Sequence, residues 1–196
     1  SQQEKGTGKK RHWELPTLVN INAQSLANKV DDCFSVLSQN KVDVACITET
    51  WASDDIPDDA YNMPGYQPVI RNDRSEKRGG GVMCYIREGL HYKLWDSLKD
   101  ENFETLFLTL RPKCLPRQIS CILLVIVYHP PLGNHKELYN HLANGIDTVL
   151  KQHPEAGIII AGDFNQFKDN YIKRNFKLKQ LINFPTRGSN TLDKIY

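Results

Sequence analysis

Five polar residues stand where apolar stretches end: Asn22 after L-V-N-I, Glu49 after V-A-C-I-T, Tyr128 after I-L-L-V-I-V, and Asp163 with Asn165 after I-I-I-A-G. A carboxylate at the mouth of a buried strand is either a solvated strand end or a metal ligand. Taken singly, each residue fits the first reading, because acidic and amide side chains are common just beyond strands. Taken together they describe one rim of a sheet, the place where α/β proteins set ligand groups. Two carboxylates, two amides and a phenol suit Mg2+ and phosphate. Mg2+ takes oxygen ligands, keeps several waters, and needs only one or two protein carboxylates besides substrate oxygens.

The elements that must carry these residues can be read from periodicity. Residues 17–25 read as a strand turning polar at its end, and 26–39 as an amphipathic helix on Leu26, Val30, Phe34 and Leu37. Strands are expected at 42–47, 66–71, 81–86, 103–110, 119–128 and 157–162, a second helix at 134–152, and a short basic helix at 171–182. Nearly continuous apolar runs such as I-L-L-V-I-V and G-I-I-I-A imply strands covered on both faces. The class is therefore mixed, strand-rich α/β, with sheets packed face to face and helices outside. The chain has 196 residues, 40% of them hydrophobic, enough for one substantial core. The expected division is a basic, disordered leader over residues 1–14 and one domain over 15–196.

The net charge of +2 does not by itself indicate a nucleic-acid binder, but the charges are segregated. Residues 43–59 hold Asp43, Glu49, Asp54, Asp55, Asp58 and Asp59 with no Lys or Arg. Residues 166–187 hold Lys168, Lys173, Arg174, Lys177, Lys179 and Arg187 against Asp169 alone. The basic stretch is either a solvated helix face or a track for a nucleic-acid backbone beside Asn165. Trp51 and Tyr61 read more readily as core caps than as base-stacking groups. The three glycines 79–81 read as a flexible entry to a strand, since no Gly-Lys-Ser/Thr follows them. His129 should fall on the opposite side of its strand from Tyr128, and the other histidines read as surface or helix residues.

The five cysteines are odd in number and contain no C-x-x-C pair, so they read as free thiols of a reducing compartment. The longest apolar run, Cys121 to Val127, is far short of the ~20 residues needed to span a bilayer. An intracellular protein, nuclear or cytoplasmic and without a membrane partner, is expected.

The stretches N-A-Q-S-L (22–26), I-T-E-T-W (47–51), R-G-G-G-V-M-C-Y-I-R (78–87), V-Y-H-P-P (127–131), G-D-F-N (162–165) and P-T-R-G-S-N-T-L-D (185–193) carry a resemblance. In order and spacing the chain resembles the endonuclease/exonuclease/phosphatase superfamily, specifically the apurinic-endonuclease-like domain of non-LTR retrotransposons. The resemblance implies a four-layer α/β/β/α sandwich of the DNase I-like kind and Mg2+-dependent nicking of target DNA, with Mn2+ as an alternative ion. It implies a monomer that serves an adjoining reverse transcriptase domain, if the protein continues.

Carried over by motif, Glu49 becomes the metal ligand and Asn22 orients it and the phosphate. Tyr128 positions the scissile phosphate, Asp163 orients or activates the attacking water, Asn165 holds a phosphate oxygen, and Asp193 orients a histidine. Gln24, Lys173, Arg174, Lys177, Thr186 and Arg187 are the expected nucleic-acid contacts, while Asn20 reads as structural. In the family a Ser-Asp-His segment follows T-L-D, and this sequence ends at Tyr196 without one. The expectation that follows is a sheet short of its last strand or strands, an exposed edge at 119–128, and activity impaired or lost. Two rival readings are a non-catalytic nucleic-acid-binding remnant and a phosphatase of the same fold.

Overall fold

The computed structural model describes residues 15–74, 79–188 and 190–196. The leader expected at 1–14, and Arg78 and Ser189 of the quoted motifs, lie outside the described residues. Among the described residues nine strands form two mixed sheets. The first is built from β1 (Leu18–Asn22), β2 (Val44–Thr48), β3 (Ile70–Asn72) and β4 (Val82–Ile86), in the order β1-β2-β4-β3. The second is built from β5 (His91–Leu94), β6 (Glu104–Arg111), β7 (Cys121–Tyr128), β8 (Ala156–Asp163) and β9 (Asp193–Ile195), in sequence order. Only β1–β2 and β7–β8 pair parallel.

Strand alternation divides the apolar residues into three layers of packing. Between the sheets lie Val44, Cys46, Val82, Cys84 and Ile86 from the first, against Leu106, Leu108, Leu110, Ile122, Leu124 and Ile126 from the second. The odd residues Phe107, Leu123, Val125 and Val127 face outward onto α2 (His135–Gln152), meeting Leu138, Leu142, Ile146 and Val149. On the far side, Ala45, Ile47, Met83 and Tyr85 are covered by Leu37 of α1 (Val30–Gln39) and by Leu26, Tyr61 and Met63. With both faces of each sheet covered, the four layers run α1, first sheet, second sheet, α2. Each fully buried aliphatic side chain contributes about 1.5–3 kcal/mol, so β7, buried along its whole length, is the axis of the core.

The sequence reading places these elements except β5 and β9, the latter a three-residue strand, Asp193–Ile195, that it does not expect. His91–Leu94 alternates exposed and half-buried residues and offers too weak an apolar pattern to be seen. The basic helix is shorter than expected: α3 runs only over Asn170–Asn175, because Lys177 takes a left-handed φ of 53° that breaks the helical path. The residues 119–128 do not form an edge, since β7 is paired by β6 on one side and β8 on the other. The edges of that sheet are β5 and β9. Of the thiols, Cys46, Cys84 and Cys121 are buried, Cys33 is half-buried and Cys114 is exposed, and all are free. Among the described residues no helix is long and apolar enough to cross a membrane.

Candidate active site

One end of the space between the sheets is polar. The inward-facing positions there are Asn20, Asn22, Thr48 and Asn72 from the first sheet, and Glu104, Tyr128, Asp163 and Asp193 from the second. On the second sheet the four stand in one lateral row, with Glu104 opposite Tyr128, Tyr128 opposite Asp163 and Asp163 opposite Asp193. On the first, Asn22 pairs with Thr48, and Glu49 is the next residue. The same alternation that fills the core with Leu and Ile thus delivers oxygen-bearing side chains to a single rim.

The two sheets are joined there by side-chain hydrogen bonds. Asn22 Nδ2 donates to Asp163 Oδ2 at 2.7 Å, and Asn72 Nδ2 donates to the carbonyls of Phe103 (3.0 Å) and Thr105 (3.2 Å), on either side of Glu104. Asn20 Nδ2 reaches Asp193 Oδ1 at 3.5 Å, and its own Oδ1 is buried without a partner among the described residues. The Oδ1 atom of Asn22 is buried and has no protein partner among the described residues. A buried amide oxygen without a partner costs about 1–3 kcal/mol, so the arrangement is one that a cation or a substrate donor would relieve.

Asp163 has 0% of its surface exposed. Burial pushes its carboxyl above the ordinary carboxylate value, and the nearby Asp193 charge adds to this. The Asn165 backbone N–H, the Asn22 amide and Arg187 oppose the rise without cancelling it. The Asn165 N–H lies 3.0 Å from Oδ1 and Arg187 Nη2 lies 3.6 Å from Oδ2. Asn165 spends one amide hydrogen on the His129 carbonyl at 2.7 Å and keeps the second. Gly162, the first residue of G-D-F-N, is required by packing, since a Cβ there would sit 1.8 Å from the Val127 carbonyl oxygen.

Glu49 is held in a different way. Its Oε2 accepts from the Trp51 indole at 2.6 Å and from the Gly80 backbone N–H at 3.3 Å. Trp51, which the sequence suggests as a core cap, is instead 40% exposed and braces this carboxylate, whereas Tyr61 is buried. Burial, then the Glu49 carboxylate, raises the pKa of the Tyr128 hydroxyl, so the phenol stays protonated. Backbone strain gathers at the same rim. Gln24, Ser25, Glu49, Trp51 and Asn165 all have left-handed φ, between 43° and 78°, a conformation that costs non-glycine residues about 1–3 kcal/mol each. Backbone bonds from Ser25 to Glu49 and from Trp51 to Gly80, each 2.9 Å, hold the loops in place.

The remaining expected contacts separate by partner. Lys173 is committed to Asp169 at 3.0 Å, and Thr186 Oγ1 accepts the backbone N–H groups of Leu192 and Asp193, setting the start of β9. Arg174, Lys177 and Gln24 are exposed, and Arg187 reaches the site. His129 is buried away from the rim, 3.0 Å from His135, as strand alternation requires. His141 is not a plain surface residue, since it bonds Thr105 and stacks on Phe103.

Sequence reading misses Glu104, Arg74 and Asn72. Arg74 pairs with Glu104 through Nε at 2.7 Å and Nη2 at 2.5 Å. Gly80 and Gly81 are more than a flexible entry. A Cβ on Gly80 would fall 2.3 Å from Glu104 Oε2 and one on Gly81 would fall 2.5 Å from Thr50 Oγ1, and both glycines have positive φ. The signal available in sequence for Glu104 is parity: it sits two residues before Leu106, on the inward face of the same strand.

Among the described residues no three His, Cys, Asp or Glu side chains form a cage for a metal. The donor set is one half-buried carboxylate, Glu49, and the unpartnered amide oxygen of Asn22, a residue paired in register with Thr48, which precedes Glu49. That set fits a hard cation that keeps most of its own water and does not fit a site of the zinc type.

The sequence matches the endonuclease/exonuclease/phosphatase family over residues 18–196. Among solved structures it is similar to the endonuclease domain of TRAS1, a telomere-specific non-LTR retrotransposon, with TM-score 0.64 and 16% identity over 92% of this chain and 84% of that one. It is also similar to TDP2 of D. rerio in complex with a single-stranded DNA product (TM-score 0.55, 12% identity, 91% and 81% covered). A third is the 3′ phosphatase NExo from Neisseria bound to a product DNA hairpin (TM-score 0.51, 18% identity, 77% and 58% covered). At these identities the likeness is one of fold. No curated protein matches the sequence.

Proposed function

Because the chain belongs to the endonuclease/exonuclease/phosphatase family, we propose that it hydrolyses phosphodiester bonds of DNA as a Mg2+-dependent nicking endonuclease of the non-LTR retrotransposon kind. The observation that carries the reading is the Asn22 amide, which joins two functions in one side chain. Its Nδ2 fixes the buried Asp163, and its buried Oδ1 is left for a ligand. Glu49 and Asn22 would hold the cation, with Mn2+ an alternative. When bound, the ion supplies Lewis-acid polarisation of the phosphate and neutralises developing charge.

The chain's own groups do the rest. Asp163, its pKa raised by burial, orients a water and takes its proton more readily than a solvated aspartate would. The protonated Tyr128 hydroxyl and the remaining Asn165 amide hydrogen donate to phosphate oxygens, in positions fixed before substrate arrives. Trp51 and the Gly80 N–H keep Glu49 in one orientation. Arg187 and the exposed Arg174 and Lys177 attract the phosphate backbone. The fold shared with the TRAS1 endonuclease domain is consistent with DNA as substrate, and the partner proposed is an adjoining reverse transcriptase.

The test is conversion of supercoiled plasmid to open circle with Mg2+ or Mn2+, comparing the wild type with Glu49→Ala and Asp163→Asn. Nicking reduced ~10²-fold or more in both variants supports the reading. Binding without nicking would make the protein a DNA-binding remnant. Phosphate released from a 3′-phosphorylated end, with the plasmid intact, would make it a phosphatase.

A further inference from the structure

We propose that Arg74 is a phosphate-binding residue of this site and that Glu104 is the residue positioning it, an assignment that rests on the nuclease reading above. Neither residue belongs to the set suggested by the sequence motifs, yet both are built into the rim. Glu104 stands directly opposite Tyr128 on the neighbouring strand. Its Oε1 takes two donors from Arg74, Nε at 2.7 Å and Nη2 at 2.5 Å, and its Oε2 takes the Gly81 backbone N–H. Both oxygens thus hold neighbours in place, which casts Glu104 as a positioning group.

The same contacts fix Arg74. Its guanidinium lies over the Tyr128 ring, 5.6 Å from the centroid, so the cation is placed beside the hydroxyl that faces Glu49. A guanidinium has five N–H donors in a rigid fork. Two of its nitrogens face Glu104, and among the described residues none accepts from Nη1. The Arg74 side chain keeps 22% of its surface exposed against 11% for Glu104, so of the two it is Arg74 that solvent and solutes reach more readily. Asn72 fixes the backbone on either side of Glu104, and Gly80 leaves no room for any side chain that would displace the pair. On the other flank of the site Arg187 stands beside Asp163. A phosphodiester entering between them would meet one guanidinium from each side, with Tyr128 and Asn165 beneath. If Arg74 served only to neutralise Glu104, any charge-conserving pair would do. The stacking on Tyr128 and the free end of the fork point to recognition of an anion.

The test measures binding of a fluorescent 20-base-pair duplex in EDTA, as affinity against KCl concentration, for the wild type, Arg74→Ala, Arg74→Lys, Glu104→Gln and the double variant Arg74→Met/Glu104→Gln. One phosphate contact contributes about 0.9 to the slope of log affinity on log salt. Arg74→Ala and the double variant are expected to lose about that much slope and about tenfold in affinity. The double variant removes both charges, so no unpaired Glu104 charge is left to unfold the protein. Arg74→Lys is expected to restore the slope but not the full affinity. Glu104→Gln is expected to keep the slope and weaken binding a few-fold. Arg111→Ala, at the other end of β6, serves as the control for bulk charge and is expected to change neither quantity.

Wild-type slope and affinity in folded Arg74→Ala or in the double variant would overturn the proposal while leaving plasmid nicking, and the nuclease reading, untouched. A wild type that binds with the expected slope pattern but never nicks would overturn the nuclease reading and keep Arg74 as an anion contact. A wild type without measurable affinity for the duplex would overturn both.

Discussion

The bond between Asn22 and Asp163 predicts a coupling energy that can be measured apart from any activity. A 2.7 Å amide-to-carboxylate bond is charge-assisted, and such bonds contribute about 1.5–3 kcal/mol, against about 0.5–1.5 kcal/mol for neutral partners. A double-mutant cycle of Asn22→Ala and Asp163→Ala, followed by urea unfolding with intrinsic tryptophan fluorescence, should give a coupling of about 2 kcal/mol at pH 7. The cycle should also depend on pH. Burial raises the folded pKa of Asp163 above its ordinary 3.8, so protonation favours the folded state. The stability that this group contributes is fully present below 3.8 and is lost as pH rises through the folded value. The bond to Asn22 opposes that loss, because it favours the charged form. On acidification through the folded pKa the coupling should therefore fall towards about 1 kcal/mol as the acceptor becomes neutral. A coupling under about 0.5 kcal/mol at pH 7, or one that does not fall as the carboxyl is protonated, would refute the reasoning.

Three further outcomes follow from the same coordinates. Gly80→Ala places a Cβ 2.3 Å from Glu104 Oε2 at a φ of 72° and should cost about 1–3 kcal/mol in urea unfolding, with DNA affinity falling in parallel. Leu142→Ala, at a fully buried position of α2, should cost about 2–5 kcal/mol with little change in plasmid nicking per folded molecule. Burial, then the neighbouring His135, lowers the His129 pKa from 6.5 to about 4, so its contribution is whole above pH 6.5 and is lost as pH falls towards 4. The wild type should lose about 3 kcal/mol over that window by the linkage of pKa to stability, and His129→Gln should flatten the profile.

Sequence patterning makes the sandwich legible because alternation and helical spacing are strong wherever both faces of a strand are covered. β7 and β8 show this most clearly, and β5, with half its residues exposed, shows the converse. The rim residues Asn22, Glu49, Tyr128 and Asp163 are legible because each terminates an apolar run. Glu104 is not, because it stands at the start of its expected strand, ahead of the apolar residues, and terminates no apolar run. Arg74 and Trp51 are hidden for another reason. Their parts are set by partners 30 residues away in Glu104 and two residues away across a left-handed turn at Glu49, and no periodicity encodes either.

The first sheet is made entirely from residues 18–86 and the second entirely from residues 91–196. Each slab can assemble from its own contiguous half of the polypeptide, joined by the short turn around Gly89. The Asn22–Asp163 bond crosses from one half to the other, so a site that uses both residues exists only while the two slabs stay packed together, and loosening their interface would take it apart.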